Sequence, residues 1–441
     1  MARFHYLFTL LIIIFISQSC VKLSPYEGVA PGEWRAILYL EGKELPSKFE
    51  PRKRTEDFSY DEVSQGELPF NFKVIYDTDS TFYVEIYNGE EVIEVKDVIY
   101  WKNPRTGRDT IEIQFPHYES KIRALYEERF IEGVFIDEGR GNYSIPFLAT
   151  HGQVYRFSTL KKAPKTDLTG KWEVVFNGED PENSYKGIGE FKQNGNYLTG
   201  TFVTETGDYR FLGGTVQDDK MYLSVFDGHH AFLFEAKIQD NDNMFGGFWS
   251  GNHYKVTWTA KRNPEATLAN PYDLTYLKEG YDKVSFSFPD FDGNMVALSD
   301  EKFQNKVKIV QILGTWCPNC ADETAWLSAY YNEKQHPDLA IIGLAFEKHR
   351  DIDRAKIPID RFRERFEVKY DLLFANGSSS KTEASEALPM LNKVISYPTM
   401  IVIDKEDKVR KIHTGFAGPA TSQYEEFVSE FESFLEGLLA E

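Results

Sequence analysis

The chain has 441 residues, which at roughly 150 residues per domain predicts about three domains. Its formal net charge is −19 at pH 7. Because nucleic-acid binding needs a basic surface, this balance excludes a nucleic-acid partner. The 34 Phe and 25 Tyr residues favour strands, so we expect a large share of β-structure.

The N-terminus has the features of an export signal. The largely apolar run "YLFTLLIIIFI" (6–16) is too short to span a bilayer as a helix. "SQSC" follows it and resembles the lipobox of bacterial lipoproteins. That resemblance implies a signal peptide at 1–19, a lipidated Cys20 and a tether to residue 32. The body would then lie in the periplasm, anchored to the cell envelope by lipid. The alternative is a plain cleaved signal with an incidental cysteine.

Two β-rich domains are expected after the tether. Residues 33–160 contain runs such as "FNFKVIY" and "STFYVEIYN" separated by turn signals, although "ESKIRALYEERF" (119–130) is compatible with one or two helical turns. Residues 166–262 contain some eight short strands at nearly regular spacing. This spacing predicts an antiparallel barrel or sandwich.

The remainder of the chain changes class. A linker with two Asn-Pro steps is expected at 263–282, because each step biases the chain away from helix. In residues 283–441, strands alternate with helices, which predicts an α/β layer whose sheet is covered on both faces. The helices are expected at about 318–335, 358–367, 382–395 and 421–439.

The motif "GTWCPNC" (314–320) carries the chemistry. Cys317 follows the strand "VKIVQIL" and so begins the next helix, where free N–H groups and the helix dipole favour a thiolate. Pro318 fits the first turn of that helix. Cys320 returns to the same face one turn deeper. We therefore expect an exposed Cys317 to attack a disulfide and Cys320 to resolve the mixed disulfide.

Other interpretations of the cysteine pair are weaker. A structural metal site usually needs four ligands, and the sequence has no second CxxC, while His349 and His413 are single. Two inert thiols are disfavoured because an exported pair at this spacing would oxidise or react. We expect no metal and no cofactor.

A resemblance to a known family supports the redox interpretation. The C-terminal region, from about residue 284, resembles the TlpA/ResA-like thiol–disulfide oxidoreductases of the thioredoxin superfamily. It does so through "FSFPDFDGNMVALSD", "VKIVQILGTWCPNCADE", "LAIIGLAFE", "SYPTMIVIDKEDKV" and "TGFAGPAT" in that order. The resemblance implies a thioredoxin-like domain, protein thiols and disulfides as substrates, membrane tethering and electrons from a membrane reductase.

The resemblance also implies substrate-docking residues. Pro398 should follow a cis peptide bond and pack beside the cysteine pair, and Tyr397 before it should shape the docking groove. Trp316 should shield one side of the pair, next to Pro318. The alternative for Tyr397–Pro398 is an ordinary turn with a trans peptide bond. The alternative for Trp316 is an aromatic residue of the hydrophobic core.

Glu323, three residues after Cys320, is a candidate base. Several members of this family carry a carboxylate there that assists deprotonation of the resolving cysteine. Glu347 is a second candidate carboxylate. Glu323 could equally face water, since the first turns of a helix favour an acidic residue for electrostatic reasons alone.

Two rival functions remain open at this stage. Peroxiredoxins resemble this fold but carry threonine three residues before the reactive cysteine, where this chain has Gly314. Alternatively, the β domains recruit a partner and the protein is a binding or assembly lipoprotein. In these β domains the adjacent His229 and His230 in "FDGHHAFLF" are the one candidate binding site, although such residues more often merely end a hairpin.

Overall fold

The computed structural model describes residues 28–41, 66–127, 129–141, 143–159 and 161–441. The expected signal peptide, Cys20 and residues 21–27 of the tether lie outside this part of the chain. Within it, the first unit is an antiparallel sheet in the order β4-β3-β2-β1-β9-β8-β7-β6-β5, the sheet domain. Its strands are β1 (Gly32–Tyr39), β2 (Glu67–Tyr76), β3 (Phe82–Asn88), β4 (Glu91–Val95), β5 (Val98–Lys102), β6 (Asp109–Gln114), β7 (Ser120–Glu127), β8 (Phe130–Asp137) and β9 (Tyr143–His151).

Alternating side chains explain these strands. In β3, Phe82, Val84 and Ile86 are buried while the residues between them are partly exposed. The helical turns considered for 119–130 are wrong, because the segment forms β7. Its period-two pattern buries Ile122 and Ala124 between two neighbouring strands, β6 and β8, and that pairing outweighs local helix propensity.

The second unit is a closed barrel, the barrel domain. Eight strands run in the order β11-β10-β18-β17-β16-β15-β14-β12, and pairing between β11 and β12 closes the ring. Aromatic rings fill the interior, with Phe234 and Phe248 stacked at 4.4 Å. The strands are β10 (Gly170–Phe176), β11 (Tyr185–Asn194), β12 (Tyr197–Thr204), β13 (Gly207–Asp208), β14 (Leu212–Gln217), β15 (Lys220–Phe226), β16 (Ala231–Ile238), β17 (Asn243–Ser250) and β18 (Tyr254–Arg262).

The sheet and barrel domains share a hydrophobic core. Phe226, at the end of β15, projects into the sheet domain, where its ring centroid lies 4.6 Å from that of Phe70 and 5.1 Å from that of Phe135. Arg156 adds a polar contact by donating a hydrogen bond of 2.8 Å to Ser224 Oγ. These contacts hold the two β units together as one body.

The third unit, the redox domain, has a five-stranded sheet in the order β23-β22-β21-β24-β25. Its strands and the hairpin before them are β19 (Ser287–Pro289), β20 (Met295–Ala297), β21 (Val307–Leu313), β22 (Leu339–Phe346), β23 (Asp371–Asn376), β24 (Thr399–Ile403) and β25 (Val409–Thr414). The helices are α1 (Pro271–Leu274), α2 (Pro318–Lys334), α3 (Ile352–Arg365), α4 (Lys381–Ala387) and α5 (Tyr424–Ala440). None of the helices described here is long and apolar enough to cross a membrane.

Local chemistry sets the element boundaries. Every residue of β21 and β22 is buried, as in parallel strands covered on both faces. The helix expected at 382–395 is shorter in the structure, because α4 ends before Pro389 and the residue preceding a proline disfavours the helical conformation. The segment 263–282 packs on this domain, where Lys278 N donates to Met390 O at 2.8 Å.

A buried arginine joins all three domains. Arg210 of the barrel domain is 8% exposed and donates hydrogen bonds to Glu91 of the sheet domain and to Asp322 on α2. Asp227, also from the barrel domain, lies 3.8 Å from its Nε. The barrel domain is therefore held directly against the helix that carries the cysteines.

Candidate active site

Cys317 occupies the junction between β21 and α2. It is the N-cap residue of α2, and its Sγ accepts a hydrogen bond of 3.3 Å from the backbone N–H of Cys320. Its S–H donates to the carbonyl oxygen of Tyr397 at 3.4 Å. Both cysteines are free thiols, and Pro318 lies in the first turn of α2. The Cys317 sulfur takes the place of the side-chain oxygen that normally caps a helix.

The two thiols differ in environment, although both are buried. Cys320 is 0% exposed and Cys317 is 6% exposed, so the open position expected for Cys317 is wrong. The turn between β12 and β13 covers the motif. Gly207, the first residue of β13, has a φ of 141°, which favours glycine, and a Cβ there would lie 1.7 Å from Asn319 Nδ2, between the cysteines.

A buried carboxyl group lies one turn beyond Cys320. Glu323 is 0% exposed, and its Oε2 accepts a hydrogen bond of 2.8 Å from Gln311 Nε2. Its Oε1 has no hydrogen-bond partner in the described part of the chain. Burial raises the pKa of Glu323 to about 8, and the Gln311 contact opposes that shift. Burial also raises the pKa of the Cys320 thiol well above its usual value, so this thiol needs a base to become a nucleophile.

Glu347 has a different role from Glu323. Its carboxylate accepts hydrogen bonds from Thr315 N at 2.9 Å and Thr315 Oγ1 at 2.7 Å, which fixes the turn before Cys317. Burial raises the pKa of Glu347 to about 7, although the hydrogen bonds from Thr315 act to lower it. Because the Thr315 hydroxyl is committed to Glu347, it is not free to position a peroxide.

Aromatic side chains form one wall of the site. The Tyr397–Pro398 peptide bond is cis, the isomer implied by the family resemblance. The ring of Tyr397 meets that of Trp316 edge-on at 5.2 Å, and Trp316 Nε1 donates to Phe346 O at 2.9 Å. Ser396 Oγ donates to Thr206 O of the barrel domain at 2.9 Å, so the barrel domain also reaches this wall.

Sequence reasoning underestimated the histidine pair. His229 and His230 line the same cavity as Cys317, although they lie on the barrel domain. His229 Nε2 is 2.6 Å from a guanidinium nitrogen of Arg140, and burial lowers the pKa of this histidine well below its usual value. The adjacent pair after an Asp-Gly turn was a detectable signal, but nothing local placed it near the cysteines.

Replacing Glu323 with glutamine is expected to change how stability depends on pH. The carboxyl pKa is about 8 when folded against a model value of 4.5, so between these pH values only the folded state binds the proton and stability falls as pH rises. Relative to the wild type, we expect the free energy of unfolding of Glu323→Gln to rise by about 1.4 kcal/mol per pH unit between roughly pH 5.5 and 7.5. Urea titrations read by brief alkylation of Cys320 measure this difference.

The matched control for this prediction is Glu386→Gln, which alters an exposed glutamate of the same domain. Its stability should run parallel to that of the wild type across the pH range. If Glu323→Gln also ran parallel to the wild type, the buried carboxyl would not be protonated in the folded state.

The C-terminal part of the chain is similar to known proteins. Residues 280–412 match the AhpC/TSA family. The thiol-disulfide oxidoreductase ResA of Halalkalibacterium halodurans is 23% identical over 161 residues, covering 35% of this chain and 78% of the relative. ResA of Bacillus subtilis is 24% identical over 139 residues, covering 32% and 69%.

One solved structure is similar to this chain over a comparable share of its length. A putative thiol:disulfide interchange protein DsbE from Chlorobium tepidum is 18% identical, with a TM-score of 0.29, and covers 37% of this chain and 99% of its own. In the described part of the chain, no group of three or more His, Cys, Asp or Glu side chains is arranged to hold a metal ion. Over the matched region, which includes the cysteine pair, the chain is similar to the AhpC/TSA family and to ResA, and it is a thiol–disulfide oxidoreductase.

Proposed function

We propose that this protein is a membrane-tethered, extracytoplasmic oxidoreductase that reduces protein disulfides through Cys317 and Cys320. One observation carries the proposal. The Cys317 sulfur caps α2 and opens into a cavity, while the Cys320 thiol lies fully buried directly behind it. This is the arrangement of an attacking thiol and a resolving thiol.

The reaction has two displacement steps. The Cys317 thiolate attacks one sulfur of the substrate disulfide, a mixed disulfide forms and the first substrate thiolate leaves. Cys320 then loses its proton and attacks Cys317 Sγ, which releases the second substrate thiolate. The substrate gains two electrons, and the protein is left with a Cys317–Cys320 disulfide.

Glu323 is the proton acceptor for the second step in this proposal. It follows Cys320 by one helical turn, so the two side chains lie on the same face of α2. Its Oε1 has no partner in the described part of the chain, and with a carboxyl pKa of about 8 only the ionised fraction can take the thiol proton, a fraction that grows as the pH rises toward 8. Substrate docking is assigned to Trp316 and Pro318 on one side and Tyr397 and Pro398 on the other.

The remaining assignments concern location and electron supply. Residues 1–19 would be removed, Cys20 would carry the lipid, and the tether up to residue 32 would place the catalytic body outside the cytoplasm. Because each turnover oxidises the cysteine pair, a reductase in the same membrane must supply two electrons. The sequence motif at Cys20 and the similarity to ResA support this part of the proposal.

The reduction potential of the Cys317–Cys320 pair tests the proposed direction. We would equilibrate the soluble protein lacking residues 1–20 in dithiothreitol or glutathione buffers and count free thiols by alkylation. A potential near about −270 mV is expected for a reductant, and one near about −120 mV would make the protein a disulfide donor. Absence of a two-electron transition would contradict the function itself, and Cys320→Ser should show none.

A further inference from the structure

A cavity of about 750 Å³ lies where the three domains meet, with Cys317 in its wall. The redox domain contributes Tyr397 beside Cys317, the barrel domain contributes Thr206 and His230, and the sheet domain contributes Arg140. Its volume is in the usual range for sites that enclose a small molecule or a short segment. A substrate sulfur that reaches Cys317 from this cavity therefore lies among residues of all three domains.

The lining of this cavity is rich in cations. It includes Arg140, Lys348, Arg350 and Lys381, whereas Asp208 is the one carboxylate among the lining residues. The Asp208 side chain is already committed to the backbone, because its oxygens accept hydrogen bonds of 2.7 Å from Gly418 N and Arg210 N. Arg140 and Arg350 are already paired with Asp137 and Glu383, so the positive charge left for a ligand is that of Lys348 and Lys381.

Lys348 is only weakly compensated by carboxylates of the protein. Its side chain is 15% exposed, and the nearest carboxylate, Asp137, lies 3.9 Å from Nζ, beyond hydrogen-bond distance. Asp137 is already paired with Arg140 Nε at 2.9 Å, so one carboxylate serves two cations. Lysine has three donors and no acceptor, and Lys348 donates none of them to a described residue.

Lys348 also lies near Trp316 in the wall of this cavity. Its Nζ is 5.8 Å from the centre of the Trp316 ring, and Trp316 directly precedes Cys317. Lys381 is exposed at the mouth of the same cavity, and no described residue forms an ion pair with it. Two lysines with unused donors therefore flank the approach to Cys317, and a ligand carboxylate would supply the missing acceptor.

We propose that this cavity binds disulfides carrying a carboxylate beside the sulfur, held by Lys348 and Lys381 during attack by Cys317. The proposal rests on the function proposed above and names its substrate class. The source is either a small free disulfide or an acidic segment of a protein. In both cases the bound disulfide gains two electrons and becomes two thiols, while Cys317 and Cys320 form the new disulfide.

Disulfides of different charge test this proposal with the full, reduced chain. The probes are glutathione disulfide, which is anionic, bis(2-hydroxyethyl) disulfide, which is neutral, and cystamine, which is cationic. Each rate constant is divided by the rate constant of dithiothreitol with the same probe. This division corrects for the intrinsic reactivity of each disulfide. We expect the normalised rate for glutathione disulfide to exceed that for cystamine by about tenfold at low salt and by less at high salt.

Lysine variants assign the preference to the cavity. Lys348→Gln and Lys381→Gln should each reduce the anionic-to-cationic ratio several-fold. The exposed Lys369→Gln, which makes the same change of charge outside the cavity, should leave the ratio unchanged. A variant that merely lowers thiolate reactivity slows all three probes together and preserves the ratio. Equal normalised rates in the wild type, or an unchanged ratio in both cavity variants, would overturn the proposal.

Peptides distinguish the two sources. Two disulfide-bonded peptides of equal length, one with glutamates and one with lysines beside the cystines, replace the small probes. A charge preference with glutathione disulfide alone identifies a small free substrate, and a preference with the peptides identifies an acidic protein segment. If no disulfide of any charge oxidised the cysteine pair, the proposed function itself would fail, which is a different result from loss of charge preference.

Discussion

Cys320→Ser is expected to stop turnover and leave the substrate covalently attached to Cys317. The attacking sulfur remains at the N-terminus of α2 and still forms the mixed disulfide, but no thiol remains behind it to displace the product. We expect steady-state reduction of glutathione disulfide to fall at least about a thousandfold, equivalent to roughly 4 kcal/mol of activation free energy. Mass spectrometry of the intact protein should show one added half-disulfide.

Cys317→Ser provides the matched control. Serine is among the best N-cap residues, so α2 should still form and the variant should fold. Cys320, which remains from the pair, is 0% exposed and its pKa is raised by burial, so it should neither turn over nor form an adduct. An adduct on Cys320 in this variant, with none on Cys317 in the other, would reverse the assigned order of the two cysteines.

The parts of the site that could be predicted are those encoded locally. A buried strand, a short turn and a proline-led helix place Cys317 at a helix terminus and Cys320 one turn deeper, and the structure has this order. Glu323 follows on the same helix by spacing alone. Its burial could not be predicted, because an acidic residue near a helix N-terminus is compatible with water or with the interior.

The parts that could not be predicted depend on contacts between distant segments. Gly207 covers Asn319 from more than a hundred positions away along the chain, and no local pattern distinguishes it from any other turn glycine. The same holds for His229 and His230, whose place in the redox cavity follows from how the domains pack. The helix considered for 119–130 failed for a related reason, since strand pairing with β6 and β8 decided its conformation.

Arg210→Met is expected to destabilise the protein strongly by leaving carboxylates buried without a cation. Burial raises the pKa values of Glu91 and Asp322 even though Arg210 opposes both shifts, so desolvation is the dominant effect on each carboxylate. Removing one partner of a buried ion pair typically costs about 3–5 kcal/mol. Urea denaturation followed by tryptophan fluorescence measures the loss.

Two further variants separate this effect from a general loss of charge. Arg123→Met removes an exposed arginine that pairs with Glu112 at 2.7 Å, and we expect it to cost less than about 1 kcal/mol. Adding Asp322→Asn to Arg210→Met neutralises one orphaned carboxylate and should restore part of the stability. Similar small losses for Arg210→Met and Arg123→Met would contradict a central role for the buried cluster.

The same substitution connects stability to function, because Arg210 joins the barrel domain to α2 at Asp322, two residues after Cys320. If this contact holds the turn at Gly207 over Asn319, weakening it should open the cavity. Under native conditions, Cys317 should then react faster with a bulky maleimide in Arg210→Met than in the wild type, while Arg123→Met should not differ. A folded Arg210→Met with unchanged labelling would mean that other contacts suffice to keep the barrel domain on the redox site. The expected increase would make the barrel domain a wall of the active site, and substrate selection a property of the whole chain.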